Sequence, residues 1–185
     1  VQIEEIGYNF INEQGKLLWD KDIWFDYVDD FNEGFAEVYK EDKGYNIINT
    51  QGELVWDKEE WFDGIGYFTE GFASIYKKGK GYNFINEQGE LLWKGDKWFD
   101  DVRRFRNGFA RVYIKGKGWN FIDPNGILLW KEDKWFYESW DFKIDCVYDI
   151  ITICAQVRIE HTIQYLSTNG EIMKDDVLMN DDVLW

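Results

Sequence analysis

From Phe68 onward the chain alternates as a half-buried strand must. Phe72, Ser74 and Tyr76 fall on one side and Ala73 and Ile75 on the other. The same alternation returns in Phe35-Ala36-Glu37-Val38-Tyr39 and in Phe109-Ala110-Arg111-Val112-Tyr113. The small apolar positions suit a tight seam between layers. The middle position changes among Glu37, Ser74 and Arg111 and is expected to reach water between aromatic rings. A glycine-bearing turn, Lys77-Lys78-Gly79-Lys80-Gly81, then predicts a hairpin into a second strand, Tyr82-Asn83-Phe84-Ile85-Asn86. Asn86-Glu87-Gln88-Gly89 reads as a type I turn closed by a glycine with positive φ, and predicts a third strand over Glu90-Leu91-Leu92-Trp93. A charged spacer leads to an aromatic-acidic tail, Trp98-Phe99-Asp100, and Phe105 closes the period. No segment holds a helical period beyond about two turns.

This unit recurs. Gly15, Gly52, Gly89 and Gly126 are each 37 residues apart, as are Trp19, Trp56, Trp93 and Trp130. Internal repetition decides the architecture before any motif is weighed. Asn9, Asn46, Asn83 and Asn120 recur inside the second strand, where Asn is normally depleted, and are expected to bond backbone at a bend. The pattern frays after Lys143. Gly170 follows Gly126 by 44 residues, so about seven were gained in a segment rich in β-formers, which predicts an added or lengthened strand capping an open edge. The expected fold is all-β: tandem 37-residue antiparallel hairpin or meander repeats in a curved, solenoid-like array, with a small β-propeller as the alternative. Residues 1–142 hold four in-phase copies and 143–185 a degenerate cap within the same domain.

Composition adds three things. Aromatics reach 19% and charged residues 31%, so a heavily aromatic chain is kept in solution by charge. The net charge of −15 is uneven, with residues 7–43 carrying −6 and residues 81–117 carrying +3. Such a balance repels nucleic acid and favours basic partners. Cys146 and Cys154 are too few for a disulfide framework, and a reduced pair is expected. No apolar run approaches the ~18 residues of a membrane span, and no basic-then-apolar leader is present, so a cytoplasmic location is expected, with a secreted form left open.

The unit resembles the WG repeat of bacterial proteins. The likeness is carried by Phe105, by Gly108-Phe109-Ala110-Arg111-Val112, by Lys117-Gly118-Trp119-Asn120-Phe121-Ile122-Asp123 and by Gly126-Ile127-Leu128-Leu129. It covers roughly residues 7–142, with a weak echo to about 175. Tyr follows the glycine more often than Trp does, and the second strand carries Asn where an aliphatic or Tyr is usual. The resemblance implies an all-β repeat protein acting as a binding module, and the motif supplies no catalytic residue.

Candidate chemistry is sparse. The lone histidine, His161, has no Ser, Cys or second His arranged around it, and no cofactor or metal site is expected. The acidic spacers lack the order of a calcium loop. The best candidates are Trp24, Trp61, Trp98 and Trp135, each followed by a Phe that points the other way in an extended chain, so that one ring of each pair is available for stacking. Asp26, Asp63 and Asp100 accompany three of them, and turn acceptance is their simpler role. The expected function is non-catalytic binding of another protein with a basic surface, a nucleic-acid-handling protein that the acidic surface obstructs among them. The alternative is a carbohydrate or cell-wall module using the edge tryptophans.

Overall fold

A computed structural model describes residues 1–19, 23–94, 98–130, 134–139, 143–147, 150–159 and 162–173. It is all-β in these residues, and every strand pairing is antiparallel. The chain divides into two compact units, Val1–Trp98 and Phe99–Trp185.

The first unit holds a two-stranded ladder, Gln2–Ile3 against Gly7–Tyr8, and two three-stranded sheets. Sheet one is Tyr27–Val28, Phe35–Lys40 and Gly44–Asn49; sheet two is Gly64–Ile65, Phe72–Lys77 and Gly81–Asn86. In both, the middle strand lies between the short one and the last. The second unit holds sheet three, Asp101–Val102, Ala110–Ile114 and Gly118–Ile122. It also holds a larger sheet built from Glu138–Ser139, Lys143–Val147, Ile150–Ile159, Thr162–Ser167 and Ile172–Met173. The inserted residues form the new strand Lys143–Val147 and lengthen its partner to ten residues. In that register Cys154 stands opposite Lys143 and Cys146 opposite Ile151, three pairs apart, which is not the register of a cross-strand disulfide pair.

One element departs from the sequence reading. Residues 53–56 and 90–93 make no strand; each meets the sheet at one isolated bridge, Ile48 to Leu54 and Ile85 to Leu91, with the backbone bonds that flank it. Asparagine explains why. Asn46 is fully buried, its Nδ2 donates to the Trp56 carbonyl at 2.9 Å, and its Oδ1 accepts the N–H groups of Ile47 at 2.8 Å and Trp56 at 3.3 Å. Asn83 and Asn120 repeat the arrangement on Trp93 and Trp130. A side-chain amide thus takes the place of the next ladder rung, and the chain swings off the sheet.

Beyond the Trp the chain returns. Phe62 exchanges backbone bonds with Tyr45 at 2.8 and 3.0 Å, as Phe25 does with Tyr8 and Phe136 with Trp119. That approach requires a glycine before the aromatic. At Gly44, with φ of +101°, a Cβ would collide with the Phe62 carbonyl oxygen. Gly89 meets the Val55 carbonyl oxygen in the same way, so the turn of one copy rests on the backbone of the copy before it.

The core of the first unit gathers Phe25, Val38, Ile48, Phe62, Ile75 and Ile85. That of the second gathers Phe121, Phe136, Ala155, Val157 and Leu166. The two-residue turns Glu33-Gly34, Glu70-Gly71 and Asn107-Gly108 have positive φ at both positions, the type I′ geometry that suits strand twist.

Candidate functional site

Three of the four aromatic tails divide a buried Phe from a half-buried Trp, whereas in Trp61-Phe62 both rings are buried. Phe25, Phe62, Phe99 and Phe136 are buried, while Trp24, Trp98 and Trp135 are half-buried and Trp61 is buried at 7% exposure. The indoles are not bare. Lys43 stands 5.5 Å from the centroid of Trp61, Lys80 5.8 Å from Trp98 and Lys117 5.7 Å from Trp135. These three lysines recur at the 37-residue spacing, so the cation–π contact belongs to the unit.

Asp26, Asp63 and Asp100 are exposed, and each accepts a backbone N–H from the hairpin turn above it. The donors are Glu41 at 2.7 Å, Lys78 at 2.8 Å and Lys115 at 2.7 Å. A carboxylate bonded in this way clamps the turn. No cluster of three or more metal-ligating side chains occurs among the described residues. His161 lies outside the described residues.

A groove of about 620 Å³ opens in the first unit between Trp56 and Trp98, with Lys58, Phe62, Lys80 and Leu91 among its walls. Lys58 sits 4.0 Å from the Trp56 centroid, and the Trp56 indole N–H donates to the Glu60 carbonyl at 3.0 Å. The Lys77 ammonium pairs with Glu60 and holds that carboxyl below its usual range.

A second surface was only half visible in the sequence. The outward face of each sheet carries a cross-strand aromatic pair: Tyr39 with Tyr45 at 4.6 Å, Tyr76 with Tyr82 at 4.8 Å, Tyr113 with Trp119 at 5.1 Å. Beside that pair two positions face one another in identical register. Asp29 N–H donates to the Glu37 carbonyl, Gly66 to Ser74 and Arg103 to Arg111, at 2.9, 2.8 and 2.8 Å. The frame is constant, and the two side chains are both acidic in sheet one, both minimal in sheet two and both basic in sheet three.

Each version has its own electrostatics. Partial burial, and then the Asp29 charge, push the Glu37 carboxyl above its usual range. The Tyr67 hydroxyl donates to Asp29 Oδ2 at 2.9 Å, and that bond raises its own pKa. Tyr27, 45% exposed, is raised by desolvation and then by Asp29. In sheet three both guanidiniums lie over Trp119, at 5.2 Å for Arg103 and 5.5 Å for Arg111. Arg103 also pairs with Asp101 at 2.6 Å, and Arg111 donates to the Ser139 carbonyl. The sequence reading found the changeable position at 37, 74 and 111 but missed its partner at 29, 66 and 103. The matching 37-residue spacing of those partners was the signal.

No curated protein matches the chain. Among solved structures it is similar to the computationally designed Ika4 protein, at 12% identity over 74% of this chain and 87% of that one, with a TM-score of 0.41. The designed Ika8 protein shares 11% identity over 87% of this chain and 52% of its own, with a TM-score of 0.43. A protein of unknown function from Bacteroides caccae shares 16% over 91% of this chain and 69% of its own, with a TM-score of 0.32. The family described as WG containing repeat matches residues 25–43, 47–80 and 99–117. Those segments hold the turn-clamping aspartates Asp26, Asp63 and Asp100 and the short and middle strands of sheets one to three, and the chain is a WG-repeat protein.

Proposed function

We propose that the protein is a non-catalytic binding module that engages another protein through a basic surface of that partner. The observation that carries this reading is the constant register beneath changing side chains: Asp29 and Glu37, Gly66 and Ser74, Arg103 and Arg111. Packing fixes the core, the turns and the buried Asn, whereas nothing in the frame requires those outward pairs to differ. Differing side chains on one rigid support are what discrimination between partners uses. The net charge of −15 and the paired acids of sheet one favour a cationic partner over nucleic acid, and a nucleic-acid-handling protein obstructed by this surface fits the same chemistry.

The test is capture of partners at low and high salt. Exposed charges separated by more than about 8 Å are screened at physiological ionic strength, so binding is expected to fall as salt rises; retention indifferent to salt would overturn the reading.

The groove between Trp56 and Trp98 favours a second reading, a carbohydrate site, because indoles offer sugars broad contact area. The lysines over those rings weigh against it, since a sugar must displace them. Quenching of Trp fluorescence by oligosaccharides, lost in Trp98→Ala without unfolding, would favour the sugar reading.

A further inference from the structure

The outward face of the first unit has a recess as well as a charge. Gly64 and Gly66 carry no side chain there, and a hollow of about 240 Å³ stands over the strand Phe72–Lys77, walled by Tyr76 and Tyr82 with Ser74 beneath. A single water occupies ~30 Å³ of liquid, so the hollow has room for an aliphatic side chain. Gly66 also lines the dent where Glu37 and Tyr67 stand, which makes the hollow and the carboxylates neighbours. Among the described residues Asp29, Asp30 and Glu37 have no ion-pair partner. Two carboxylates held side by side on a half-buried face repel one another, and a cation between them relieves that repulsion while taking charge-assisted hydrogen bonds. Tyr27 and Tyr67 stand beside them with exposed rings.

The geometry points to a docking surface, on the outward face of sheets one and two, for an extended segment of another protein that carries a Lys or Arg and, two positions away, an aliphatic side chain of about the size of Leu. This rests on the protein-binding reading above and names its ligand. In an extended chain, side chains two apart point the same way at roughly 7 Å. That spacing delivers the cation to Asp29 and Glu37 and the aliphatic group into the hollow over Gly66. Charge complementarity selects the occupant. Sheet three, with Arg103 and Arg111 at the equivalent positions, repels the same cation.

The experiment is a titration of the full chain with a capped hexapeptide carrying Lys and Leu two positions apart among serines, followed by amide NMR. Saturable shifts are expected at Gly64, Gly66 and Tyr82. Replacing the peptide's Lys by Gln, or its Leu by Ala, is expected to weaken binding about tenfold each. Ser74→Leu fills the hollow and is expected to weaken the Leu peptide about tenfold while leaving the Ala peptide unchanged. The fold tolerates this substitution, because Glu37 and Arg111 occupy the equivalent positions. Glu37→Gln is expected to weaken both peptides alike. Binding that ignores the Leu, or shifts that avoid Gly64 and Gly66, overturns this surface while leaving the general reading in place. If the peptide does not bind and no basic protein is captured either, both fall.

Discussion

The buried asparagines carry the fold at the scale of single residues. Asn46 satisfies three backbone groups, and an apolar replacement strands all of them. Asn46→Leu is expected to cost at least about 3 kcal/mol, given roughly 1–3 kcal/mol for each buried group left unpaired. Urea unfolding with an unchanged m-value is the check. Gly44 and Gly79 separate two costs of adding a Cβ. Both have positive φ, but only Gly44 faces a backbone oxygen, while Gly79 faces open space. Gly79→Ala should lose about 1 kcal/mol from backbone strain alone, and Gly44→Ala clearly more, as thermal unfolding would show. Glu37 offers a pH signature. Its folded pKa is raised, so folding favours the protonated form, and the charged form costs stability as pH climbs through the folded value. Glu37→Gln should therefore stabilise the protein slightly at neutral pH, with the gain fading toward about pH 4. The sequence marked the asparagines as anomalous in strands. It could not name their partners, which for Asn46, Asn83 and Asn120 lie ten residues on and are reached only once the chain has left the sheet.

At the scale of elements, the hairpins were legible because five or six residues suffice to display alternation. Phe35–Lys40 with Gly44–Asn49, and their equivalents, stand where the pattern placed them. The third strand was misplaced for a physical reason. Glu90–Trp93 alternates too briefly to separate a strand from an extended loop, and the rung it would have made is taken by Asn83. The third member of each sheet is instead a two-residue stub, such as Gly64–Ile65, far too short to carry a period. The aspartates preceding these stubs fix the hairpin turns. Asp63→Ala removes the acceptor of the Lys78 N–H and should cost about 1 kcal/mol, the usual net value of such a bond. Comparison with Asp63→Asn, which keeps an acceptor, checks the assignment: the Asn variant should recover most of the loss.

At the scale of the whole molecule, repetition and variation divide the labour. Residues that recur every 37 positions build the turns, the clasps and much of the core; the sharpest breaks in charge fall at the paired positions 29 and 37, 66 and 74, 103 and 111. The −6 of residues 7–43 and the +3 of residues 81–117 are the same contrast seen in bulk. Composition made that contrast visible without saying where it lies. The pairing of residue 29 with 37, and of 103 with 111, needed the register.

The most direct measurement exchanges those outward residues and leaves the frame alone. Asp29→Arg with Glu37→Arg installs on sheet one what sheet three already carries. Affinity for a captured basic partner should fall at least tenfold at low salt, with the melting temperature nearly unchanged. The same charge change at the exposed Glu41 and Glu87 should reduce it far less. Equal losses in the two double variants, or an affinity untouched by the first, would contradict the account.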